Sequence, residues 1–157
     1  MSKKDELVQE LENAFEKIKK ELGFRSTLED LDKVFYIKDF VLKDGFVSES
    51  FSRQLCHRIV GLFMDWNDYL HSLIIPNPQN LLNMSESKIL SQEEKKEIIE
   101  LMKKVMELSS RNGLIGLNKD KKAESEFIDY SLRFWNDEFK PRITKIIKKI
   151  NKEWNTQ

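Results

Sequence analysis

Cysteine, proline and glycine are scarce in this chain of 157 residues, which has one Cys, three Pro and five Gly. A lone cysteine, Cys56, cannot close an internal disulfide and leaves no paired-cysteine frame for zinc, so a reducing, cytoplasmic location is expected. So few turn formers exclude a design of many short strands and favour a small number of long elements. Long apolar runs are missing as well. The longest covers residues 59–64, against the ~20 needed to cross a bilayer. The opening MSKKDELVQEL has no apolar stretch that would serve as a secretory signal, and a soluble chain is expected. An excess of charge of either sign is also absent: 27 Lys and Arg balance 27 Asp and Glu. No overall field therefore steers the molecule toward nucleic acid or an anionic surface, and any such partner must be met by a local patch.

What the chain does have is 39% apolar residues, ten Phe and three Trp, enough for the core of one domain spanning residues 1–157. Leu7, Leu11, Phe15, Ile18 and Leu22 recur at helical spacing and are followed by Gly23, a first helix with one buried edge. Ser26 and Glu29 have capping-box spacing and open a second helix over 28–43 that Asp44-Gly45 closes. Within it, residues 34–42 are apolar on all sides, and a hairpin turning at Lys38-Asp39 competes. Helix is preferred, because neither turn residue favours positive φ.

A third, central helix is expected over 48–72. Phe51, Leu55, Ile59, Leu62, Trp66, Tyr69 and Leu73 share one line, with Leu62 and Trp66 near its middle. Gly61 inside it costs ~1 kcal/mol against alanine, for which a close backbone approach is the expected compensation. Residues 74–90 carry two prolines and several amides and read as the longest loop. The capping box Ser91–Glu94 starts a fourth helix that Gly113 ends. In the last helix, Ile128, Leu132, Trp135, Phe139, Ile143, Ile146 and Ile150 keep one line through Pro141, which predicts a long Pro-kinked helix. The fold expected is therefore all-α, a single bundle of about five helices.

The chemistry-bearing motifs are sparse. Asp68 and His71, at i and i+3, are the only candidates for a metal or acid-base pair, and two ligands do not make a site. His57 and His71 lie ~21 Å apart along a helix and cannot share an ion. Arg53 and His57 are separated by three residues, not the four to six of the Arg-His pair in helical ribonucleases. Cys56 and His57 point ~100° apart and form no nucleophile pair. The glycines of Gly-Leu-Ile-Gly at 113–116 lack the Lys-Ser/Thr of a phosphate loop, so no nucleotide or other cofactor is expected. No motif here carries a resemblance to a known family.

Two surface features remain. Residues 140–157 form a basic amphipathic helix end, with Lys145, Lys148, Lys149 and Lys152 in one stripe opposite Ile143, Ile146 and Ile150. Lysine dominates over arginine, 21 to 6, which disfavours bidentate phosphate recognition. In the loop, Ile75, Leu81 and Leu82 are too apolar for a merely solvated connection; they are expected to cap the end of the core, with contact with a partner as the alternative. The reading the sequence favours is a non-enzymatic module that binds a protein partner or itself. The alternative is a weak nucleic-acid or anionic-surface binder using the lysine stripe. A small metal-dependent or acid-base enzyme built on Asp68 and His71 comes third.

Overall fold

A computed structural model describes residues 1–156, and among them it contains helices and no strand. The helices are α1 (Lys3–Leu22), α2 (Leu28–Phe35), α3 (Ile37–Asp44), α4 (Phe51–Ile74), α5 (Leu81–Ile89) and α6 (Gln92–Asn118). An uninterrupted final run follows, made of α7 (Lys121–Phe134), a π-helical stretch Trp135–Phe139 and α8 (Lys140–Asn155). Counting that run once gives seven helices among the described residues, where the sequence leads one to expect about five.

Both additions have local causes. The second expected helix breaks in two because Tyr36 takes a left-handed conformation, φ +54°. Its N–H donates to Asp32 O at 2.9 Å, while Asp32 Oδ1 accepts from Lys38 N–H at 2.8 Å and restarts the chain as α3. The hairpin alternative is thereby removed, since Lys38 and Asp39 lie inside α3. The expected loop 74–90 holds α5, whose first turn is capped by Asn80 accepting from Asn83 N–H at 3.0 Å.

The chain forms two compact units, residues 1–62 with 110–132, and residues 63–109 with the chain from Arg133 on. In the first, α1 starts at a capping box between Ser2 and Asp5 and stops at Gly23, whose φ of +79° is what glycine alone adopts freely. Leu11, Phe15 and Ile18 are buried, and Phe24 packs edge-on against Phe15 at 5.5 Å. The cap of α2 is Thr27, which accepts from Asp30 N–H, so the expected Ser26–Glu29 box is displaced by one residue. Ser26 is taken by another partner: its N–H and hydroxyl both donate to Asp129 Oδ1 of α7, at 2.9 and 2.6 Å. Arg25 N–H donates to Oδ2 at 2.9 Å. One carboxylate thus pins the α1–α2 connection to a helix about a hundred residues later in sequence, a contact no local pattern announces.

In the second unit the core of α4 is Phe63, Leu70 and Leu73. The sequence expectation placed Leu62 and Trp66 nearest the centre, but both are only half-buried. The buried line is rotated by about one residue because the unit supplies a second aromatic layer. Phe63 meets the rings of Phe134, Trp135 and Phe139 at 5.5, 5.9 and 5.4 Å. Gly61 is also unlike its expectation. A Cβ there would meet nothing within 4 Å, so its helix cost is uncompensated by any close approach.

Gly113 does not end α6, which runs on to Asn118. Its backbone stays helical, and the stop comes at Lys119, with φ +52°. The long last helix is present, and just before Pro141 it carries a π-helical stretch. Pro141 has no N–H for the carbonyl four residues back and its ring would collide with that carbonyl. The wider turn accommodates it, with Lys140 N–H bonding Trp135 O five residues earlier. It also stacks Trp135 on Phe139 at 5.4 Å. Beyond it, α8 buries Ile143, Ile146 and Ile150.

Candidate functional site

The chain between α4 and α5 is held by polar bonds along its length. Asn77 N–H donates to Asn83 Oδ1 at 2.6 Å, and Asn83 Nδ2 returns a bond to Ser72 O at 3.0 Å. The buried hydroxyl of Ser87 donates to Leu73 O at 2.7 Å. Tyr69 OH reaches Glu86 at 3.1 Å; burial first, then the neighbouring carboxylate and its hydrogen bond, push the phenol up to about 12. On this fastened frame Ile75, Leu81 and Leu82 are 65%, 79% and 65% exposed. An apolar side chain on a loose loop can turn inward; these three are held outward by the backbone that carries them.

The basic stripe of α8 divides. Lys149 is drawn to Glu94 of α6 at 2.5 Å, while Lys145, Lys148 and Lys152 are exposed. One turn before the stripe, Arg142 spans Glu97 at 3.0 Å and Glu100 at 2.9 Å. Partial burial opposes the charged form of Glu94, but hydrogen bonds from Lys149 and Ser91 outweigh it and leave the carboxyl below its usual range. Burial likewise works against the Arg142 guanidinium, and the two glutamates overcome it. Acids at the start of α6 thus occupy part of the cationic surface that phosphate binding would need. Asp68 and His71 are both exposed, and no group of three or more His, Cys, Asp or Glu able to hold a metal occurs among the described residues.

A further cluster, in the first unit, was not singled out from the sequence. Arg53 Nη1 donates to Glu124 Oε2 of α7 at 2.8 Å, and Nη2 donates to Asn112 of α6 twice, to Oδ1 at 2.7 Å and to the carbonyl at 3.1 Å. Glu124 and Asn112 are buried. Gly116 lies close beside them: a Cβ there would stand 3.2 Å from Arg53 Nη2, a tight approach that the guanidinium would have to yield to by a few tenths of an ångström. Asn112 Nδ2 also lies 3.5 Å from His57 Nδ1. Cys56 is fully buried beneath; desolvation, with a contribution from Glu124 that Arg53 opposes, drives its thiol far above the ordinary range, and it is inert as a nucleophile. The one signal in the sequence was Glu124, which stands a turn before Ile128 on the inward line of the last helix. An acid on a buried line implies a cation to meet it, but not which one.

No known family matches the chain, and no match is found among curated proteins or among solved structures.

Proposed function

We propose that the protein is a non-enzymatic interaction module that docks a protein partner, or a second copy of itself, through Ile75, Leu81 and Leu82. The observation that carries the reading is the exposure of these three apolar side chains on a segment tied down by the Asn77 N–H and by the side chains of Asn83 and Ser87. Preorganisation of that kind lowers the ordering cost of association. A cytoplasmic setting accords with a free, buried Cys56. The lysine stripe is the second reading, supported by the exposure of Lys145, Lys148 and Lys152.

The test compares the parent with two variants: Ile75, Leu81 and Leu82 all changed to Ser, and Lys145, Lys148, Lys149 and Lys152 all changed to Glu. The serine variant should fold with stability within about 0.5 kcal/mol per site of the parent, since surface changes rarely exceed that. A protein captured from a lysate by the parent, or self-association in sedimentation, should vanish in the serine variant and survive in the glutamate one. Salt-sensitive binding to RNA or anionic vesicles that disappears only in the glutamate variant would replace this reading with the anionic-surface one.

A further inference from the structure

Two open clefts of the first unit meet at Arg53 and Ser50. One, about 400 Å³, is bordered by Ser50, Ser52, Arg53, Gly116, Lys119 and Lys121. The other, about 330 Å³, is bordered by Phe40, Phe46, Ser50, Arg53, Gln54 and His57. Each volume is within the range that small ligands occupy.

The two differ in character. In the first, Glu124 faces Arg53 and Asp120 accepts the Ala123 N–H through Oδ1 at 3.1 Å while keeping its charge, so the three cations Arg53, Lys119 and Lys121 exceed the two acids by one. The ammonium groups of Lys119 and Lys121 have no carboxylate partner among the described residues, and Ser50 and Ser52 line the same cleft. Arg53 is fixed by Glu124 and Asn112 through Nη1 and Nη2, which leaves its Nε–H and one Nη1 proton without a protein acceptor among the described residues. The second cleft is aromatic. Phe46 is 56% exposed although its backbone is secured, its carbonyl accepting from Gln54 Nε2 at 3.3 Å while Gln54 Oε1 accepts from Ser48 N–H at 2.9 Å. An exposed phenyl ring at the border of an open cleft offers a face on which a planar ring can stack. Asp44 borders this aromatic cleft, so an anionic group is favoured in the first cleft and not here.

We infer that the paired clefts form a binding site for a small anionic aromatic molecule, a planar ring joined to a phosphate or carboxylate. Its ring lies against Phe46, and its anion is met by Lys119, Lys121, the serine hydroxyls and the Nε–H of Arg53. Phosphate and carboxylate share that chemistry. The site shares no residue with the Ile75, Leu81 and Leu82 surface and does not depend on the docking role.

The experiment is a titration of isotope-labelled full-length protein followed by amide shifts, with phenyl phosphate, benzoate, inorganic phosphate and phenol added separately. Saturable shifts at Phe46, Ser50, Ser52 and Arg53 are expected with one or both aryl anions, at least roughly tenfold tighter than with inorganic phosphate. Which aryl anion binds tighter identifies the head group. Phe46→Ala should reduce the aryl phosphate to the affinity of inorganic phosphate, and Lys121→Glu should abolish binding of every anion. Both positions are exposed, and an otherwise unchanged spectrum certifies the fold of each variant. No saturable shift in this region, phenol binding as tightly as the aryl anions, or binding indifferent to both substitutions would overturn the inference.

Discussion

Phe63→Ala is expected to cost ~3–5 kcal/mol, the range for removing a large ring from a core that cannot collapse around the void. Phe63 has no exposed surface, and the three rings against it are themselves held: Phe134 and Phe139 are buried, and Trp135 is stacked on Phe139. The π-helical stretch fixes Trp135 and Phe139 within one widened turn, which limits the relaxation that would lower the cost. A domain with 5–15 kcal/mol of total stability would lose a large share of it. Leu62→Ala, one residue away and half-buried, should cost clearly less. Urea denaturation of the two variants checks both the magnitude and the order; a larger loss at Leu62 would place the core line where the sequence pattern alone puts it.

Arg53→Met should be the second large effect, about 2 kcal/mol. Taking away the guanidinium leaves Glu124 without its cation and Asn112 without two donors. Breaking a fully buried pair costs ~3–5 kcal/mol. Here the Glu124 side chain is 6% exposed but that of Arg53 is 31% exposed, so solvent screens part of the loss and the expected cost falls below that range. Adding Glu124→Leu to Arg53→Met should recover most of the stability, because a buried pair replaced by apolar groups of similar volume is close to neutral. The double-mutant cycle reads the coupling directly. Additive losses would mean that the two residues act independently.

The helical class was legible in the sequence because periodicity and caps are local. Gly23 and Gly45 stop their helices, and Ser91 and Glu94 form their reciprocal cap, Ser91 N–H to Glu94 Oε1 at 2.8 Å and Glu94 N–H to Ser91 Oγ at 3.1 Å. What was not legible depends on partners distant in sequence. Ser26 is drawn from capping into the Asp129 clamp, a contact 103 residues long. Gly113 looked like a stop because glycine so often is one, yet nothing at that position forces a positive φ and the helix continues. Tyr36 breaks a helix without glycine or proline, stabilised by Asp32 on both sides of the break. Of the candidate surface residues, Ile75, Leu81 and Leu82 were visible as apolar residues among loop formers, but the α5 helix that presents Leu81 and Leu82 was hidden by the prolines before it, and Ile75 lies just past the end of α4. The Arg53 cluster brings together α4, α6 and α7, and no pairwise spacing in the sequence encodes it.

The central claim is that the segment carrying Ile75, Leu81 and Leu82 is a folded platform and not a loose segment that orders only on contact. Amide hydrogen exchange of the isolated protein across Leu81–Ile89 tests this most directly. The account predicts exchange at least ~100-fold slower than in an unstructured chain for the amides after the first turn of α5, because opening them must also break the bonds from Asn83 to Ser72 and from Ser87 to Leu73. Exchange at unstructured rates throughout Leu81–Ile89, while Phe63 to Leu73 remains protected, would contradict it.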